Sequence, residues 1–383
     1  VNGSGKHFNW SIGDNTGENY LSPSKSPLKN INFLVTVGAI LLGVKKYGGI
    51  LRASVADAGN DHRLGANEAP PAIMSVYLGE YLDNLLNEIE GIGKLTQKKM
   101  DDINTGVRNL PKLAKDTSDR NRTSPIAFTG NKFEFRAVGS SHNCAEPGTV
   151  LNLIVAYGYD EICRRIKANK GADKKTVAIE VLKDVIKETK AVRFEGNNYS
   201  DEWHKEAEKR GLINRTNTPS AIELFLDKEV AKLYEKYNVL TEQELHSKVD
   251  IKLEAYIKTK EIEYKTAIDI AQTGVLASLA LDISRKAKAA KRLKEVAGEN
   301  AVLTKHIAEL SKVYSQISKG IDVLKAALKT CESEKDILKQ AHSYAEKGGK
   351  ALEELRAAVD EAETMISKDL WTMASYQDLL LKL

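Results

Sequence analysis

A chain of 383 residues is long enough for two or more domains, and 42% hydrophobic with 29% charged residues is the balance of a soluble globular protein, not of a disordered or fibrous one. A net charge of +4 over that length, with no basic patch interleaved with aromatics, argues against nucleic acid as a partner. Three widely spaced cysteines, Cys144, Cys163 and Cys331, fit neither a disulfide framework nor a zinc spacing, which points to a reducing, cytoplasmic compartment.

The chain opens on VNGSGKHFNWS, residues 1–11. Val1 is not an initiator methionine and nothing here resembles a signal peptide, so the sequence reads as a fragment of a longer one. Alternation predicts a strand with His7, Asn9 and Ser11 on one face and Phe8 and Trp10 on the other. Gly3 and Gly5 let backbone approach a ligand closely, and His7 can ligate a metal. GSGK lacks the spacing of a phosphate loop, so on its own the segment is a turn and a strand.

Residues 14–30 read as an exposed loop and 28–48 as a helix. Its apolar core, INFLVTVGAILLGV at 31–44, is shorter than the roughly 20 residues a membrane span needs and is read as a buried helix. No membrane is expected as a partner. HRLGANEAPPA, residues 62–72, reads as a surface loop with Pro70-Pro71 fixing the backbone, and 71–94 as an amphipathic helix.

NRTSPIAFTGNKFEFR, residues 121–136, gathers Arg122, an apolar run, Lys132, Glu134 and Arg136. Residues 133–138 read as a strand, which puts Glu134 and Arg136 on one face about 7 Å apart. A carboxylate and a guanidinium side by side suit a hard cation next to an anionic substrate. The plainer alternative is a cross-strand ion pair.

Helices are predicted over 149–169 and 174–189, with Pro147-Gly148 starting the first. RFEGNNYSDEWHKEAEKRGL, 193–212, reads as a polar, aromatic structural loop before a helix, with Tyr199 and Trp203 expected to serve packing. All eight prolines lie at or before Pro219. This divides the chain into a mixed part, 1–219, and a helical part, 220–383, with helices near 220–237, 241–295, 300–346 and 350–382. Leu303, Ile307, Leu310, Val313, Tyr314, Ile317, Ile321 and Leu324 form one helical stripe, which suggests an antiparallel bundle or hairpin. The basic stretch 281–294 reads as a solvated helix face.

Taken together and in this order, NGSGKH, HRLGANEAPPA and NRTSPIAFTGNKFEFR resemble the C-terminal half of the catalytic domain of glutamine synthetase. The last segment, followed by a long helical tail, is similar to the large type III class. The motifs cover roughly residues 1–270. The resemblance implies an α+β fold: the C-terminal half of a glutamine synthetase-type catalytic domain, then a long-helix, antiparallel bundle-like region. It also implies ATP-dependent ligation of ammonia to L-glutamate through a γ-glutamyl phosphate.

The resemblance assigns roles residue by residue. Asn2, Gly3, Arg63 and Arg136 would bind glutamate. His7 and Glu134 would hold Mg²⁺ or Mn²⁺. Ser11, Arg122 and Lys132 would contact ATP. Glu68 would lie on a flap that closes over the site and helps take a proton from ammonium, and Arg122 and Arg136 would stabilise the transferring phosphate. Two departures stand out. Asn9 replaces a common second histidine, and Ala127 stands where a second phosphate-site arginine is usual. The resemblance further implies a homo-oligomer of hexameric rings, stacked in pairs as a dodecamer, with most metal carboxylates upstream of the first motif. The 383 residues alone are therefore expected to be inactive. Two other functions compete: ligation of glutamate to a larger amine, and a non-catalytic helical assembly module.

Overall fold

The computed structural model describes residues 5–24, 27–66, 69–91, 123–169, 173–374 and 376–381. They form two compact units, Val1–Val249 and Asp250–Leu383. The break lies past the point where prolines stop, because the helices after Pro219 are built into the first unit. There Thr218 bonds to Asp61, and the Tyr237 hydroxyl donates to Asp160.

The first unit is organised on a small mixed sheet. Its strands are β1 (Lys6–Trp10), β2 (Val76–Tyr77), β3 (Ile126–Phe128) and β4 (Phe133–Val138), in the order β1-β4-β3-β2. Strands β2 and β3 are parallel, and the other pairs are antiparallel. Register places Phe8, Phe135, Ile126 and Val76 in one row and Asn9, Glu134, Ala127 and Tyr77 in the neighbouring row. Successive residues face opposite sides, so one face is apolar and the other carries the charged groups. The predicted strand at 133–138 forms with these bounds.

The apolar face meets helix α1 (Ile31–Ala53), where Phe33 lies 5.9 Å from Phe128 ring to ring. Asn30 caps α1 by accepting from the Phe33 amide. Apolar on nearly every side, α1 is buried among this chain's own elements, as predicted for 31–44. Its main neighbours are α4 (Ala145–Ala168) and α5 (Lys174–Glu188). Two glycines bring the α1 and α4 backbones together. A Cβ on Gly43 would stand 2.4 Å from the Ile154 carbonyl oxygen, and one on Gly158 would stand 2.0 Å from that of Ala39.

One predicted helix is corrected. Residues 71–94 do not form a single helix: extended chain leads through β2, and α3 spans only Glu80–Glu90, after the short α2 (Ala58–Asp61). Val76 pairs with Ile126 and bridges to Arg193, so tertiary pairing overrides the helical pattern. Gly79, at φ 83°, then turns the chain into α3. Three further helices follow in this unit: α6 (Asp201–Lys209), α7 (Thr218–Ile222) and α8 (Lys228–Lys236).

Helices dominate the second unit. Helix α9 (Glu242–Asp269), whose first residues belong to the first unit, and α10 (Leu276–Ala297) are joined through a π-helical turn, Ile270–Val275. Then come α11 (Ala301–Glu332), α12 (Ile337–Ser343) and α13 (Gly349–Met365). Of the predicted stripe, Leu310, Val313, Ile317, Ile321 and Leu324 are buried, while Leu303, Ile307 and Tyr314 are half-buried. Lys265 pairs with Glu332 and Gln272 with Lys325, so α11 runs back along α9 and α10. Two predicted helices are shorter than expected. The 300–346 helix breaks before Asp336, which caps α12. The 350–382 helix stops at Met365 because Ser367 turns to Asp282, donating from its amide at 3.1 Å and from its hydroxyl at 2.8 Å.

Candidate functional site

Charged residues converge on the polar face of the sheet. Glu134 and Arg136 point the same way from β4, and Arg136 donates from Nε at 3.2 Å and from Nη2 at 3.1 Å to Oε2 of Glu134. The pair runs along one strand rather than across two, so the cross-strand alternative is replaced. Asn9 sits opposite Glu134 in the ladder, which makes His7 its diagonal neighbour on β1. His7 Nδ1 lies 3.6 Å from that same Oε2. Lys132 closes the 129–132 turn between β3 and β4. Its Nζ donates to Thr129 Oγ1 at 2.9 Å and stands 3.9 Å from Oε1 of Glu134.

The ladder between β1 and β4 breaks its register at this point. Lys6 pairs with Val138 and Phe8 with Phe135, so Arg136 and Ala137 together oppose the single residue His7. Bulges of this kind re-aim side chains next to functional sites. Partial burial and the neighbouring Arg136 push the His7 imidazole below its usual range, with Glu134 pulling the other way. At neutral pH the ring is therefore uncharged, the form that can bind a metal ion.

Arg63 reaches β4 from the turn after α2. Its Nη2 donates to the Arg136 carbonyl at 3.2 Å and its Nη1 to Asn60 Oδ1 at 3.3 Å. Burial lowers its pKa from the usual arginine value, and Tyr199 opposes that shift. Gly5 passes directly over the guanidinium, where a Cβ would lie 1.8 Å from Nη2. The turn is fixed from behind. Asp57 accepts from the Asn60 amide at 2.7 Å, and Asp61 takes Arg52 and Thr218. Arg52 is 1% exposed.

Thus His7, Arg63, Lys132, Glu134 and Arg136 come together. Ser11 follows β1 and is exposed, and among the described residues no hydrogen bond or ion pair joins it to the group. Ala127 lies in the same ladder row as Glu134 and is 1% exposed, so that position itself carries no charge. Asn2, Gly3, Glu68 and Arg122 lie outside the described residues.

This arrangement can be set beside known proteins. The family model "Glutamine synthetase C-terminal domain" matches residues 177–294. The chain is 36% identical over 391 residues to "Glutamine synthetase" of Bacteroides fragilis (strain YCH46), covering 99% of this chain and 54% of that protein. It is 35% identical over 394 residues to "Type-3 glutamine synthetase" of Dictyostelium discoideum, covering 99% and 53%. A "Glutamine synthetase" of Butyrivibrio fibrisolvens is 36% identical over 398 residues, covering 100% and 55%. The chain belongs to the glutamine synthetase family. It spans about half the length of the curated relatives it matches. The family model covers only segments after the sheet, so it is the full-length relatives that extend the likeness to the strands bearing His7 and Glu134.

A glutamine synthetase is expected to hold divalent metal, and the donor set bears on that directly. Glu134 Oε2 and the His7 ring nitrogen are a hard and a borderline ligand facing one another, compatible with Mg²⁺ or Mn²⁺. Among the described residues no group of three or more His, Cys, Asp or Glu converges on one point. The two residues therefore fit as part of a coordination shell, with the other positions left to water, phosphate oxygen or other ligands.

Two residues that matter here escaped sequence reasoning. Asn60 is 2% exposed and links Arg63 to β4. Asn198 is fully buried within the 193–212 segment. It accepts from Ser75 Oγ, donates to Ser124 Oγ, and its backbone amide bonds to Thr123 Oγ1, pinning the start of β3. Each was hidden in polar runs, NDHR and GNNY, that read as turns. Trp203 packs as predicted, stacked on Phe194 at 3.7 Å. Tyr199 is less covered, at 37% exposed, and its backbone amide donates to Asn197 Oδ1 at 3.0 Å.

Proposed function

We propose that this chain supplies one half of the active site of a type III glutamine synthetase, which joins ammonia to L-glutamate at the expense of ATP through γ-glutamyl phosphate. The observation that carries this reading is the convergence of His7, Arg136 and Lys132 on the Glu134 carboxylate, in a chain whose full-length relatives are named glutamine synthetase, one of them type-3.

A carboxylate resists attack by ammonia because its leaving group would be oxide, and phosphorylation supplies a better one. Phosphoryl transfer then depends on positioning and charge neutralisation more than on covalent chemistry. When bound, Mg²⁺ or Mn²⁺ would neutralise phosphate oxygens and polarise the transferring group. Glu134 and His7 are the residues of this chain that would hold it. Arg136 would turn its fork from Glu134 toward the phosphoryl group or the glutamate carboxylate, since one guanidinium matches either anion. Arg63 would bind the glutamate carboxylate, and Lys132 and Ser11 the nucleotide. Arg122 would hold phosphate, Asn2 and Gly3 would line the glutamate pocket, and Glu68 would close over it, excluding water from the acyl phosphate. The second unit would serve as a bundle-like element in a ring-shaped homo-oligomer of the cytoplasm.

The test is phosphate release from ATP by the protein at its natural length, with glutamate and ammonium omitted in turn. Release that needs both supports the reading. Release with glutamate and a larger amine, but not with ammonium, makes it an amine ligase. No glutamate-dependent release from a folded protein overturns it.

A further inference from the structure

We propose that Asn60 is a positioning residue for Arg63 and through it sets the affinity of the site for glutamate. The inference rests on the reading above, which gives Arg63 the substrate carboxylate.

Where the register of β1 and β4 breaks, two successive carbonyls of β4 are both taken by side chains of a single turn. Asn60 Nδ2 donates to the Ala137 carbonyl at 2.9 Å, and Arg63 Nη2 donates to the Arg136 carbonyl at 3.2 Å. The second hydrogen of Asn60 Nδ2 goes to the Val55 carbonyl at 2.6 Å. A side-chain amide has two donor hydrogens, and both are now committed to carbonyls. The amide can therefore face Arg63 only with its oxygen, and Oδ1 accepts from Nη1 at 3.3 Å. Asn60 joins three segments at once: the 55–57 turn, β4 and Arg63.

The consequence for Arg63 is orientation. Two of the five N–H donors of a guanidinium are fixed on one edge. Gly5 closes over the group, so it has little freedom to swing away. A guanidinium held in this way loses less conformational entropy on taking a carboxylate. Asp57 meets the His142 ring beside the turn and accepts from the Asn60 backbone amide, and Asp61 is locked by Arg52 and Thr218, so the backbone under Asn60 is held independently of its side chain. Alanine at 60 would remove the acceptor and both donors. Aspartate keeps the size and the acceptor toward Arg63 but sets an oxygen against the carbonyls of Val55 and Ala137.

The experiment uses the full-length protein and measures KM for glutamate, KM for ATP, kcat and the thermal midpoint. The variants are Arg63→Lys, Asn60→Ala, Asn60→Asp and the double variant Asn60→Ala/Arg63→Lys. Asn60→Ala is expected to raise the glutamate KM by about tenfold, the scale of losing one hydrogen bond to a charged group, and to leave the ATP KM within about twofold. Asn60→Asp is expected to recover most of the glutamate KM while keeping a lowered thermal midpoint. The double variant is expected to be no worse than the more damaging single one, because both changes act on one contact.

An unchanged glutamate KM in Asn60→Ala overturns the inference. So does a parallel rise in both KM values, full additivity in the double variant, or an Asn60→Asp protein as impaired for glutamate as a folded Asn60→Ala. If Asn60→Ala does not fold, Asn60→Asp alone decides: a near-wild-type glutamate KM supports the inference, and a tenfold rise overturns it. A wild-type protein that makes no glutamine, or an Arg63→Lys variant with normal glutamate KM, overturns the functional reading and this inference together. An effect of Arg63→Lys without one of Asn60 overturns the inference alone.

Discussion

Arg136 donates from both Nε and Nη2 to one oxygen, Oε2, of Glu134, and His7 approaches that same oxygen from the neighbouring strand. One carboxylate oxygen thus faces a fixed cation on one side and a metal-competent imidazole on the other. A lysine at 136 keeps the charge but cannot reach that oxygen with two donors held in one plane. Arg136→Lys is expected to lower kcat by about 100-fold, the usual scale for losing one donor to transition-state charge. Steady-state glutamine formation by the full-length variant checks this. A kcat within about threefold of wild type would contradict the role.

The metal assignment has a readout that does not depend on turnover. His7→Ala and Glu134→Gln each remove one ligand from the facing pair. Each is expected to weaken Mn²⁺ binding to the full-length protein by at least about tenfold. Calorimetry or the loss of the free Mn²⁺ resonance measures it, and circular dichroism shows whether the fold is kept. Unchanged affinity in both variants would remove these residues from the metal site.

Gly5 offers a steric probe of the same place. A Cβ there would stand 1.8 Å from Arg63 Nη2 and 2.7 Å from the Val138 carbonyl oxygen. The strand backbone cannot yield, so the methyl pushes the Arg63 guanidinium off its bonds to Asn60 and the Arg136 carbonyl. Overpacking of this kind costs about 1–3 kcal/mol. Gly5→Ala should lower the thermal midpoint and raise the glutamate KM while leaving the ATP KM near wild type. A stable variant with normal kinetics would mean that Gly5 and Arg63 separate in solution.

Much of this site was legible because it depends on strand alternation. FEFR is short, β-prone and two-faced, so placing Glu134 and Arg136 on one side needed only the period of two. The HFNW strand gave His7 the same way. What escaped depends on partners far away in sequence. The helical pattern of 71–94 yielded to pairing between Val76 and Ile126, fifty positions apart. Asn60 and Asn198 act through carbonyls and hydroxyls of other segments, and no local pattern marks a buried amide. In the second unit the stripe on α11 was visible, but the stop at Met365 was not, because Asp282 draws Ser367 out of the helix from 85 positions away.

The scaffold behind the site should respond to acid in a defined direction. Arg164 bonds Glu161 at 2.7 Å and 2.9 Å, and Arg165 bonds it at 2.7 Å while also reaching Glu188, which pairs with Lys45 of α1. The bond from Arg164 is the largest influence, and the Glu161 carboxyl is held at about 2, against its usual 4.5. The folded state therefore releases this proton more readily than the unfolded chain. The stabilisation is present above the unfolded value of 4.5 and is lost as pH falls toward about 2. Glu161→Gln removes the titrating group and half of the acceptor capacity. The variant should melt below wild type at neutral pH, and the gap should close as pH falls from about 5 toward about 2. Thermal melts of both proteins across that range decide it: a gap that stays constant, or widens in acid, would show that Glu161 does not link α4 to α5 and α1 through its charge.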